Sequence, residues 1–155
     1  MRAAAAPHTV TDMKRTLMIS IIALALVPAT ASAAFVSGLY KGKTGNGGPV
    51  SLRATQTKLS AFSIGVVFNC SDGDRFQTVL RGFPRQNIVN GYYSATFTGS
   101  GGASKYVNKG RLLVRRATGT FTGTRRYNTD DELDPSGTVL CRTGTIRYSI
   151  PRVSA

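Results

Sequence analysis

Apolar and polar residues alternate one by one along most of the chain after residue 34, and a period of two predicts strands rather than helices. The clearest run is 60–70, where Phe62, Ile64, Val66, Phe68 and Cys70 share one face and Ser63, Gly65, Val67 and Asn69 take the other. Residues 75–83 set Phe76, Thr78 and Leu80 against Gln77, Val79 and Arg81, and Pro84 ends that run. Residues 91–98 gather Tyr93, Ala95 and Phe97. Residues 105–115 place Tyr106, Asn108, Gly110, Leu112 and Val114 opposite Lys109, Arg111, Leu113 and Arg115, and 117–126 place Thr118, Thr120, Thr122 and Thr124 opposite Gly119, Phe121 and Gly123. Further runs at 37–44, 49–55 and 143–150, the last with Ile146, Tyr148 and Ile150 on one side, bring the count to about eight strands. Glycine-rich turns at 45–48, 71–74 and 99–102 separate them. Short connections between many strands predict an all-β antiparallel meander, closed or nearly closed into a barrel, with a β-sandwich as the alternative.

One segment breaks this pattern. Residues 16–27 (TLMISIIALALV) are predominantly apolar, follow Lys14-Arg15, and lead through Pro28 to Ala31-Ser32-Ala33. A positive start, an apolar stretch of about a dozen residues and a small-residue end are the parts of a secretory signal peptide. The stretch is shorter than the roughly 20 residues a spanning helix needs. We therefore expect cleavage after Ala33, with Ala31 as a second possible site, leaving one secreted domain at 34–155. The leader has an ordinary start at Met13, so residues 1–12, which carry the only histidine, His8, read as an upstream extension. No second apolar span follows, so no transmembrane anchor is expected after cleavage.

Two cysteines remain, Cys70 and Cys141. In an oxidising compartment they are expected to pair, and closing a loop of that length stabilises a fold by about 4 kcal/mol in the chain-entropy picture. A metal pair would find too few ligands once the histidine is removed. The topology agrees with pairing: in an up-and-down meander odd strands finish and even strands begin at one end, so Cys70 after the third run and Cys141 before the eighth meet there.

Charge then narrows the candidates. With the leader gone, basic residues fall from 20 to 17 and acidic ones from 7 to 6, leaving a net charge of +11. Such a surplus suits an anionic polymer or envelope component. No specific nucleic-acid motif is present. The candidate anion-binding residues are Arg111, Arg115, Arg125 and Arg126, on adjacent strands in an elongated arrangement. The acids map to the disulfide end: Asp72 and Asp74 in one loop, Asp130, Asp131, Glu132 and Asp134 in another. Asp72, Asp74, Asp130, Asp131 and Asp134 are the only candidate ligands for a Ca²⁺ ion, although the D-x-[DN]-x-[DN]-G spacing of a calcium loop is absent. No cofactor is otherwise implied. Paired carboxylates at that end would also serve a small hydrolase. Histidine-dependent nucleophilic triads are excluded for the domain by composition. The segment SGLYKGKT falls one residue short of a phosphate-binding loop and lacks the helix that must follow. The threonine row 118–124 reads as a solvent-facing β surface.

Gly38, Tyr40, Gly42 and Thr44 in an opening G-x-Y-x-G-x-T, the strand ending in Cys70, the RATGTF run at 116–121 and the closing C-x-T-G-T-I-x-Y at 141–148 resemble a small β-domain of exported bacterial proteins, covering nearly all of 37–150. This chain departs at Tyr148, where such domains more often carry tryptophan. The resemblance implies fold and export, and brings no activity with it. The expected function is a non-catalytic extracellular interaction module for an anionic partner. The alternatives are a lipocalin-like carrier with a ligand inside the sheet and the hydrolase at the acidic end.

Overall fold

A computed structural model of the chain describes residues 35–154; the expected leader at 14–33, its cleavage site and the extension at 1–12 lie outside them. The described residues form ten strands: β1 (Gly38–Lys43), β2 (Pro49–Ala54), β3 (Lys58–Cys70), β4 (Arg75–Leu80), β5 (Gln86–Val89), β6 (Tyr92–Gly99), β7 (Ser104–Leu112), β8 (Arg116–Tyr127), β9 (Val139–Arg142) and β10 (Ile146–Ser154). Among these residues no helix is long and apolar enough to cross a membrane. All pairings are antiparallel. The order β10-β1-β2-β3-β5-β6-β7-β8 closes on itself because β8 also pairs with β10. The fold is thus all-β, one antiparallel sheet wound into a ring.

Each of the eight expected strands is found. The two additional ones, β5 and β9, are four residues each, too short for an alternation to stand out. Both attach to β3, whose thirteen residues outlast its neighbours. Its first residues pair with β5, Val50–Ala54 of β2 run along 59–64, β4 takes 64–69, and β9 takes Asn69 and Cys70. In this last pair Cys70 lies directly opposite Cys141, and the disulfide joins them. The expected meeting of the two cysteines at one end holds, brought about by β9 rather than by the start of the last long strand.

The inner face carries the predicted apolar set. Phe62, Ile64, Val66 and Phe68 of β3, Leu112 of β7, Phe121 of β8, and Ile146 and Ile150 of β10 are all buried. Val114, expected on this face, instead lies exposed in the β7–β8 turn. Glycine opens space that aromatics then use. Gly110 and Gly119 face each other across β7 and β8. A Cβ on Gly110 would lie 2.3 Å from the Tyr93 hydroxyl, and one on Gly119 would lie 2.5 Å from that of Tyr148. The two phenols fill the space and hydrogen-bond each other at 2.8 Å. Tyr148 donates to Asn108 Oδ1 at 2.8 Å, and Asn108 Nδ2 donates to Gln86 at 3.4 Å. Buried polar atoms are tolerated when paired in this way. Together with the apolar set, these side chains make up the buried core on the inner face.

The ring has one open seam. β4 pairs with β3 alone, and β5 reaches only Tyr92 and Tyr93 of β6, so the 94–99 stretch pairs with β7 alone. Phe83, in the connection after β4, turns inward behind this gap. Its ring centroid is 5.2 Å from Phe97, 5.3 Å from Phe62, 5.8 Å from Tyr106 and 5.9 Å from Phe121.

Candidate functional site

The strands contain no acidic residue; all six acids of the domain sit in the two loops at the disulfide end. Their local geometry is that of turns. Asp72 accepts from the Asp74 amide, with Gly73 at φ +97° supplying the left-handed step of the turn. Asn128 Oδ1 accepts from the amides of Asp130 and Glu132. Asp134 accepts from both the hydroxyl and the amide of Ser136, which lowers its pKa below the ordinary carboxylate value. Asp72, Asp74 and Asp131 border a shallow hollow of about 270 Å³ beside the disulfide, with Phe76, Tyr127 and Val139. All three carboxylates face water, whereas the carboxylic acid of a glycoside hydrolase works from a desolvated setting. Among the described residues no three Asp, Glu, His or Cys side chains come together as a metal ion would require.

The basic residues behave differently, because strand parity divides them between two faces. On β8 the odd positions Ala117, Phe121 and Gly123 are buried, and Gly119, Arg125 and Tyr127 follow the same parity inward; Arg116, the four threonines and Arg126 point outward. The candidate arginines are therefore not one patch. Arg111 and Arg126 are on the outer face, separated along β8 by roughly 26 Å at strand rise. Arg111 lies over the Tyr92 ring at 4.8 Å, and Arg126 donates to the Gly137 carbonyl at 3.3 Å. Arg115 is exposed in the β7–β8 turn. Arg125 points inside.

Register assembles the outer face into cross-strand rows. Tyr92, Arg111, Thr118 and Ser149 form one row, and Ser94, Lys109, Thr120 and Arg147 the next. Thr96, Val107 and Thr122 form a third. In the fourth, Thr98, Lys105, Thr124, Arg142, Asn69 and Arg75 succeed one another across six strands. The threonines make a column of short side chains down β8. On one side stand Arg111, Lys109 and Lys105; on the other stand Arg147 and Arg142. The result is a trough about 20 Å long with a hydroxyl floor and cationic walls. The expected anion-binding set left out Lys105, Lys109, Arg142 and Arg147. The signal was there, since each shares the parity of the threonine row once strands are aligned.

Arg125 has an unusual setting. Its guanidinium lies 5.0 Å from the Phe68 ring centroid and 5.9 Å from that of Tyr106. Nε donates to the Tyr106 hydroxyl at 2.8 Å and Nη1 to the Tyr127 hydroxyl at 3.2 Å. Burial works against its charge, but hydrogen bonds to Tyr127 and Tyr106 outweigh it and hold the pKa above the ordinary arginine value. Its partners are phenols and ring faces, with no carboxylate among them.

Comparison with family models, curated proteins and solved structures finds no match to this chain.

Proposed function

We propose that the protein is an extracytoplasmic interaction module that lays a linear anionic polymer along the outer face of β8. The observation that carries this reading is the threonine column with cations on both flanks and no acid on any strand. Lys109 and Arg147 flank Thr120 from the two neighbouring strands, about 10 Å apart at normal strand spacing. Paired walls of this kind neutralise a charged chain from both sides while the hydroxyls donate from below. The leader and the disulfide support a setting outside the cytoplasm.

Heparin, a sulfated linear polysaccharide, serves as the test polymer. Titration at several salt concentrations is expected to show affinity falling steeply with salt, because contacts to exposed anions are screened and release counterions. Replacing Lys109 and Arg147 together by glutamine should weaken binding by about tenfold at low salt and reduce the salt slope by about two, one for each cation removed. Retention that ignores salt, or a double variant that binds as tightly as the parent, overturns the proposal.

A further inference from the structure

The open seam contains a second binding feature, independent of the outer trough. A cleft of about 520 Å³ lies between the Leu80–Pro84 connection and the unpaired edge of β6 at 96–99. Binding pockets for small organic molecules fall in this size range, with apolar walls and a few placed polar groups. Phe83, Phe97 and Tyr106 supply aromatic walls, and Arg125 lies at the inner side. Both hydrogen bonds of Arg125 use Nε and Nη1, so Nη2 has no protein partner among the described residues. The two phenols fix the plane of the guanidinium, which removes the rotamer entropy a free arginine would lose on binding. A second cation, Arg81, stands exposed at the rim.

We propose that this cleft binds a small amphiphilic anion, with a carboxylate or sulfonate head on Nη2 of Arg125 and a flat apolar body against Phe83, Phe97 and Tyr106. Phe83, Phe97 and Tyr106 offer ring faces for burial, and the fixed cation offers a charge-assisted hydrogen bond at one end. Charge complementarity thus selects the head, and ring faces select the body.

The test uses 8-anilinonaphthalene-1-sulfonate and its uncharged parent, N-phenyl-1-naphthylamine, titrated by fluorescence into the full chain. The sulfonate is expected to bind at least tenfold more tightly than the neutral parent. Arg125→Gln should remove that preference, and Arg53→Gln, an exposed arginine of β2 outside the cleft lining, should leave it intact. Chemical-shift mapping on the parent protein guards against an Arg125 variant that fails to fold: perturbations from the sulfonate should centre on Phe83, Thr96–Gly99 and Tyr106. Equal binding of the two dyes, an unchanged preference in folded Arg125→Gln, or shifts confined to the outer trough or the acidic loops would each overturn the assignment.

Discussion

Arg125 and Arg126 are chain neighbours and share nothing else. Arg126 faces water at the end of a threonine column, where its charge adds to a field that several other cations build. Arg125 lies among Phe68, Tyr106 and Tyr127, where a single charge is fixed in plane and partly withdrawn from solvent. One step along a strand therefore separates a diffuse, salt-sensitive charge from a localised one. The two faces of β8 teach that a basic protein's surplus is not one property. The outer cations act together and weakly, while the inner one acts alone through geometry.

If the faces are as different as this, substitutions along β8 should alternate in severity. The largest effect is expected at Phe121, fully buried against Phe62, Phe83 and Tyr106. Phe121→Ala should cost about 4 kcal/mol in urea unfolding, and Thr122→Ala, its outward neighbour, less than about 0.5 kcal/mol. Equal costs at the two sites would erase the comparison. Gly119 comes next. A valine Cβ there would meet the Tyr148 hydroxyl at 2.5 Å and the Lys109 carbonyl at 2.6 Å. We expect a loss of about 3 kcal/mol, whereas Thr120→Val beside it should be close to neutral.

A pH series separates the faces in another way. Burial raises the Tyr148 pKa well above its ordinary value, with the neighbouring Tyr93 adding to the shift, and burial raises that of Tyr93 as well. A raised folded pKa favours the protonated phenol in the native state. Its contribution is complete below the unfolded value near 10 and is lost as pH rises from there toward the folded pKa. Stability should fall by up to about 1.4 kcal/mol per pH unit for each buried phenol in that window. Tyr148→Phe should flatten the slope, and a slope unchanged in that variant would show that Tyr148 is not its source. The smallest expected change is on the outer face, where the Lys109 and Arg147 double glutamine variant should move stability by no more than about 0.5 kcal/mol while weakening heparin binding.

Much of this contrast was legible in the alternation itself. Gly119, Phe121 and Gly123 opposite the threonines is a statement about two faces, and extending it by two residues puts Arg125 inside with Phe121. The candidate set took Arg125 with Arg126 because the arginines lie on adjacent strands, and strand parity puts the two on opposite faces. The disulfide was legible because the strand count and the expected compartment both pointed to it. What stayed hidden depends on pairing between distant strands. Lys109 and Arg147 become partners across Thr120 only through the registers of β7, β8 and β10. The seam exists because β3 is long enough to hold β4 and β5 on successive parts of one edge, and no local pattern encodes how far a strand outruns its neighbours. β9 escaped notice because VLCR has no alternation of its own and is fixed by its partners, with Gly144 at φ +65° separating it from β10.

The closure of the ring also has a consequence for how the sheet comes into being. Leu39 pairs with Ser154 and Tyr40 with Arg152, and β10 must bond to both β1 and β8. A chain emerging from its N-terminus has nine strands available while two long edges still wait for the tenth. Completion is a late, non-local event, of the kind that folds in milliseconds to seconds rather than microseconds. Until it happens, both edges are open to wrong partners. The same adjacency makes the domain suited to circular permutation, with a short linker between β10 and β1 and new termini cut at the exposed Asp72–Gly73 turn. Such a permutant would make the clasp before β3 arrives and leave β3 and β4 to meet last.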